Sequence, residues 1–259
     1  MSRLLRAAAV TAGALVAAQA LPAVTTLGPL RNRLTPALAG VGAPDRVALT
    51  FDDGPHPLST PRFLALLDRL DLQATFFLLG RWAARSPSLV KEIASAGHEI
   101  AVHGYDHRCL LARGVRGTYA DLARARDVIV DAGGEQPVWF RPPYGVMTTA
   151  TIAAARRLGL RPVLWTTWGE DWTASATPES VYRTVLANLG GGGTILLHDS
   201  DVTSVPGSWR ATLGALPRLV ESCQERGLRL GRLADHGVAA HGVAAHGVAA
   251  HGVPAQGAR

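Results

Sequence analysis

The chain has 259 residues, 47% hydrophobic and 18% charged, with 26 basic and 20 acidic side chains giving a formal charge of +6. That length and apolar content suffice for one α/β barrel, and they exclude a disulfide-stapled miniprotein, wholesale disorder and a collagen-like repeat. A pI near 10.1 invites a nucleic-acid reading until the charge is located along the chain. Residues 1–40 hold Arg3, Arg6, Arg31 and Arg33 and no acid, while residues 236–259 hold only Arg259, which leaves 21 basic against 20 acidic residues over 41–235. The body is nearly neutral, so no nucleic-acid partner is expected.

In chain order, Arg3 and Arg6 precede an uncharged run from Ala7 to Leu30, with Ala18-Gln19-Ala20 as a small-x-small cleavage motif. This reads as an export signal or as a retained membrane anchor. Pro22, Thr25, Thr26, Gly28 and Pro29 weaken the second half of a run otherwise long enough to span a bilayer. Either way the body is expected outside the cytoplasm, secreted or anchored to the outer face of the membrane, with membrane contact only through this segment.

Short apolar runs at Val47 to Phe51, Ala74 to Leu79, His98 to Val102, Val138 to Arg141, Pro162 to Trp165 and Thr194 to Leu197 predict buried strands. Thr60-Pro61 and Ser86-Pro87 each set a capping residue before a proline at the first helical position, and Gly97 stands where the second of these helices should end. Further helices are expected near 116–132, 148–158, 178–189 and 208–226. Strands alternating with helices argue for a mostly parallel sheet or barrel, one domain over 41–235. Cys109 and Cys223 are either a disulfide or two free thiols. Beyond the body, HGVAA repeats from 236 and closes as HGVPA at 251 without aromatic or charge, which predicts a neutral, disordered tail over 236–259. That removes four of nine histidines and leaves His56, His98, His103, His107 and His198.

In α/β folds, chemistry collects at the C-terminal ends of strands. There stand Asp52-Asp53-Gly54-Pro55, then His103 and His107, Arg141, Asp171-Trp172 and His198-Asp199. Two imidazoles four residues apart can converge on one metal, and a carboxylate from Asp52 or Asp53 would complete a set of three ligands with positions left open for water. Adjacent aspartates on an extended segment point in different directions, so one can bind metal while the other serves as general base. His56 and His98 fit turn and core roles.

TFDDGP from Thr50 to Pro55, HGYDH from His103 to His107, RPPYG from Arg141 to Gly145, DW at Asp171-Trp172 and LHD from Leu197 to Asp199 resemble, in order, the five motifs of the polysaccharide deacetylases, carbohydrate esterase family four. The resemblance takes in ATFFLLG at Ala74 to Gly80 and covers roughly residues 45 to 235. It implies a distorted (β/α) barrel of about seven strands. It also implies a divalent metal, commonly zinc, on Asp53, His103 and His107, with Asp52 as base and His198 as the acid that protonates the leaving nitrogen. Arg141 would hold the base and keep it ionised, and Asp171 would orient the acid. Tyr144 would contribute a backbone N–H to the oxyanion, while Trp172 and Leu197 would line a pocket for the acetyl methyl. The implied substrate is an acetylated glycan of the peptidoglycan or chitin type. Acetylated xylan, or a small linear amide, remains an alternative for the same chemistry.

Two positions depart from the family pattern. Gly104 follows the first metal histidine where Ser or Thr is usual, and Trp168 stands three residues before Asp171, where the segment often carries a further acid. Trp165, Trp168, Trp172 and Tyr144 are candidates to stack on sugar faces, with core packing the competing role for Trp165. Asp106 and Asp199 are candidates to support the metal ligands.

Overall fold

The structure, a computed structural model, describes residues 11–238 apart from 12 and 15. The charged start of the expected export segment and nearly all of the HGVAA tail lie outside the described residues. Among the described residues no helix is long and apolar enough to cross a membrane.

Seven strands make one curled sheet: β1 (Arg46–Asp52), β2 (Thr75–Leu78), β3 (Glu99–Val102), β4 (Trp139–Phe140), β5 (Arg161–Pro162), β6 (Thr167–Trp168) and β7 (Thr194–His198). Their order is β5-β4-β3-β2-β1-β7-β6, with every neighbouring pair parallel. A short β8 (Arg229–Gly231) adds in parallel to the start of β1. The expected distorted barrel is thus present. Of the predicted fifth strand, Pro162 to Trp165, only Pro162 is in a strand: β5 ends there on the edge of β4, and the chain crosses over before β6 joins the edge of β7 at Thr167.

Alternation along the strands sorts their side chains. Val47, Leu49, Phe51, Phe76, Leu78, Val102, Phe140, Ile195 and Leu197 join the helices in the main core. Ala48, Phe77, Ala101 and Trp139 face the barrel interior with Val163, Leu233 and Val238. Both faces are covered, which is why the strands read as continuous apolar runs. Helices Thr60–Arg69, Gly80–Arg85, Pro87–Ser95, Val115–Asp131, Thr149–Arg157, Pro178–Asn188 and Trp209–Glu225 fill the connections. Thr148 with Thr151, and Thr177 with Ser180, form reciprocal caps on two of them. Thr60 caps nothing: the Thr60–Arg69 helix starts after Ser59, and the Thr60 hydroxyl is used on the Asp199 carboxylate instead.

Both expected domain boundaries shift. Residues 28–40, assigned to an export segment and linker, pack on the barrel. The Leu164 N–H donates to the Leu38 carbonyl at 2.7 Å and the Thr194 hydroxyl to that of Gly40 at 2.7 Å. On the Gly28–Leu34 helix, Arg31 is 4% exposed. Its guanidinium donates to the carbonyls of Trp165 and Thr25 and lies 5.1 Å from the Trp165 ring centre. Burial and the neighbouring Arg141 lower its pKa to about 10. At the other end, His236 is buried, not part of a solvated tail. Its Nε2 lies 3.0 Å from the carbonyls of both Gly40 and Gly192, a shared hydrogen bond that clasps the two ends of the body. Cys223 is buried and Cys109 exposed, and both are free.

Replacing the buried Arg31 with Ala leaves a void and takes the donor from the part-buried Trp165 carbonyl, at a cost of about 1–3 kcal/mol. Arg33→Ala, on the exposed side of the same helix, should stay within about 0.5 kcal/mol. Denaturant unfolding of the two variants beside the parent checks the difference.

Candidate active site

The parallel register of β1 and β7 sets Asp52 level with His198 at the C-terminal rim. His103 and Arg141 follow directly on β3 and β4, with the ladder continued by the His103 N–H to the Leu78 carbonyl at 2.9 Å and the Arg141 N–H to that of Val102 at 3.0 Å. Asp171 arrives from the loop after β6.

Arg141 is wholly buried and ties the site together. Its Nη1 donates to Asp52 Oδ1 at 2.6 Å and to Thr50 Oγ1 at 2.8 Å, its Nη2 to the Leu164 carbonyl at 2.8 Å, and its guanidinium lies 4.0 Å from the Phe77 ring centre. Burial raises the Asp52 pKa by more than the positive charges of Arg141 and His198 lower it. Arg141 opposes that shift, as its expected role in keeping the base ionised requires, and the desolvation leaves Asp52 a stronger base than a solvated aspartate.

The backbone carbonyl of Arg141 accepts from His103 Nδ1 at 2.8 Å. A carbonyl only accepts, so Nδ1 carries the proton and Nε2 keeps its lone pair. Burial lowers the His103 pKa to about 3, against the pull of Asp53, so the ring is neutral at physiological pH. Its Nε2 lies 3.4 Å from Asp53 Oδ1, as does His107 Nε2. Asp53 Oδ1 is buried with no hydrogen-bond partner, while Oδ2 accepts from the Thr203 hydroxyl and the Asp53 carbonyl from Ser200 Oγ at 3.1 Å. The ligand atoms of Asp53, His103 and His107 all lie within 4.8 Å of one another. An acceptor oxygen facing an imidazole lone pair in a desolvated pocket fits a divalent cation between them. Asp53, at φ 74°, and His107, at φ 55°, are both left-handed.

On the other side, His198 Nδ1 donates to Asp171 Oδ1 at 2.9 Å, and the His198 N–H donates to Asp171 Oδ2 at 2.7 Å. Thr212 Oγ1 donates to the same Oδ2 at 2.5 Å. Burial disfavours charge on His198, but the Asp171, Asp53 and Asp52 carboxylates overcome it and raise its pKa to about 10. Burial likewise opposes charge on Asp171, and His198 with its hydrogen bonds wins there too, leaving that pKa lowered. His198 Nε2 points back toward the ligands, 3.9 Å from Asp53 Oδ2.

The aromatic residues flank this centre. Tyr144, left-handed at φ 60° and exposed, sets its ring 4.6 Å from that of His107. Trp172 stands edge-on to His198 at 5.6 Å. Leu197 is misplaced in the sequence reading: it has the parity of Ile195 and sits in the outer core with Val181. Leu196, two residues before His198, shares the inward parity and is the leucine facing the site. His98 is a core residue as expected, its Nδ1 accepting from the Ala74 N–H at 3.2 Å and its pKa lowered to about 4, chiefly by burial. Asp106 pairs with Arg81 at 2.6 Å, and Asp199, held by Thr60, is pushed by burial to a pKa of about 7. At Gly104, φ is +87° and an added Cβ would lie 3.2 Å from Asp121 Oδ2. In place of a hydroxyl, that Asp121 oxygen accepts from the Tyr105 N–H at 3.0 Å and holds the loop.

Thr203, Ser200, Thr212 and Thr50 were missed by the sequence reading. Their signal is slight: Thr50 opens the first motif without an ionisable group, Ser200 and Thr203 lie within a few residues of the last, and Thr212 is one turn into the following helix.

Asp171→Asn removes the charge that holds the His198 proton and replaces one of the two acceptor oxygens with a donor, so its midpoint should fall from about 10. An NMR titration of the imidazole checks this, and an unmoved midpoint would show that Asp171 is not the cause.

The polysaccharide deacetylase family profile matches residues 40–163. A chitooligosaccharide deacetylase of Sinorhizobium fredii is 35% identical over 195 residues, 73% of this chain and 90% of the relative. A peptidoglycan-N-acetylglucosamine deacetylase of Bacillus cereus is 33% identical over 186 residues, covering 71% and 84%. Among solved structures, the family 4 carbohydrate esterase of Streptomyces lividans in complex with acetate superposes with a TM-score of 0.66 at 34% identity, over 73% of this chain and 93% of that one. Sequence, fold and the ordered constellation at the strand tips agree, and the chain belongs to the polysaccharide deacetylase family.

Proposed function

We propose that this chain removes N-acetyl groups from N-acetylhexosamine glycans of the peptidoglycan or chitin type, acting outside the cytoplasmic membrane as residues 1–30 suggest. The carrying observation is the placement of a cation-ready Asp53, His103 and His107 cluster between a buried base and a charged histidine, level with each other on adjacent strands. The names of the relatives support the substrate class. Two imidazoles and one carboxylate suit zinc, which when bound would lower the pKa of a water and polarise the acetamide carbonyl.

This chain's residues supply the rest. Asp52 accepts the proton of the attacking water, and Arg141 is a positioning residue that fixes Asp52 Oδ1 and leaves Oδ2 facing the ligands, 3.6 Å from His103 Nε2. A backbone N–H at Tyr144 steadies the negative oxygen. His198 gives its Nε2 proton to the nitrogen as the carbon–nitrogen bond breaks, yielding acetate and an amine. Asp171 positions His198 and keeps it protonated. An amide needs that proton far more than an ester does, and a His198 held by Asp171 with its Nε2 facing the ligands is placed to supply it.

Acetate release from peptidoglycan, chitooligosaccharides and acetylxylan, with and without chelator, tests this reading. Unchanged turnover after complete metal removal would overturn it. Asp52→Asn should lower kcat by about 10²–10⁴ while bound metal per chain stays the same. The rate should rise with pH as Asp52 loses its proton and fall as His198 loses its own, and Asp171→Asn should move the alkaline limb to lower pH.

A further inference from the structure

Of the six tryptophans, Trp168 alone is exposed, at 37%. An indole left in water gives up a large apolar surface, which calls for a reason. Its strand neighbour Thr167 turns to the helix layer, donating its hydroxyl to the Val185 carbonyl at 3.0 Å. By alternation Trp168 points to the barrel mouth.

Its ring is held from beneath. It stacks on Trp165 at 5.9 Å and 29°, and Trp165 is itself fixed by the Arg31 guanidinium at 5.1 Å, which also binds its carbonyl, and by Arg141 at 5.9 Å. Sideways, Trp168 meets Trp172 edge-on at 5.4 Å, and Trp172 meets His198 edge-on at 5.6 Å. Val205, 40% exposed, continues the same apolar surface, its N–H bonded to the Trp172 carbonyl at 3.4 Å. A rigid, half-exposed aromatic ring two contacts from the proposed acid matches the apolar face of a pyranose, and a rigid platform loses little entropy on binding.

We infer that Trp168 is a specificity-determining residue that stacks on a sugar of the glycan on the His198 side of the site, next to the unit being deacetylated. This rests on the deacetylase reading above. The platform engages the polymer and not the acetyl group, so it governs KM for longer chains and leaves the chemical step alone.

The test uses the metal-loaded full chain with N-acetylglucosamine oligomers of increasing length and with an aryl acetate ester that carries no sugar. Trp168→Ala should raise KM for the longer oligomers about three- to tenfold, the size of one aromatic contact. Its kcat and its turnover of the aryl ester should stay within about twofold, and Trp168→Tyr should restore most of the oligomer KM. An active wild type whose oligomer KM is unmoved by Trp168→Ala overturns the inference alone. An equal loss on oligomer and aryl ester does the same, since it marks a structural role. A wild type that releases acetate from no glycan but cleaves the aryl ester overturns the functional reading and this inference with it.

Discussion

Everything at the mouth of this barrel depends on one buried ion pair, Arg141 with Asp52. Each charge taken into the interior costs several kcal/mol, repaid only when geometry is close and the remaining donors are satisfied. Here the two Nη groups of Arg141 donate to Asp52, Thr50 and the Leu164 carbonyl, which ties β1 to the segment crossing from β5 to β6, while Nε is left without a partner. Its own carbonyl then fixes the tautomer of His103. One side chain therefore sets the orientation of the base, the protonation of a metal ligand and the closure of the barrel. The packing that holds the fold and the electrostatics that run the chemistry are here the same contacts.

A second constraint is conformational. Asp53, His107 and Tyr144 all adopt left-handed backbone angles that side-chain-bearing residues usually avoid, at roughly 1 kcal/mol or more each. Three such residues at one rim mean that the surrounding core over-determines the loops. The hydroxyls of Thr203 and Thr212 fasten the Asp53 and Asp171 carboxylates, and that of Ser200 holds the Asp53 backbone carbonyl. In consequence Asp53 Oδ1 faces the imidazoles without a competing donor.

Most of this layout was legible from residue order, and what was not has definable physical causes. Strands β1, β2, β3 and β7 are covered on both faces, so they read as apolar runs, and all but β2 run into an ionisable residue that marks the site. β8 escaped because Arg229–Gly231 is short and largely unburied. The apolar letters from Pro162 to Trp165 read as a strand, but most of them cross between the edges of β4 and β7, and β6 starts beyond them at Thr167. Leu197 was chosen over Leu196 because a motif carries no parity until the strand's register is known. Arg31 and His236 were assigned to the flanks by composition, yet each is swallowed by a long-range contact that no local pattern encodes. Thr60 looked like a helix cap because its sequence context is that of one, and a carboxylate 139 residues away claimed its hydroxyl instead.

The two thiols carry a consequence of their own. Cys223 is sealed in the core, where burial raises its pKa to about 11, and Cys109 stands in solvent. No covalent cross-link therefore contributes to the stability of the barrel, which rests on packing, hydrogen bonds and the ion pair alone. A move between reducing and oxidising surroundings therefore neither makes nor breaks a cross-link on which the fold depends, and only the exposed Cys109 is open to oxidants.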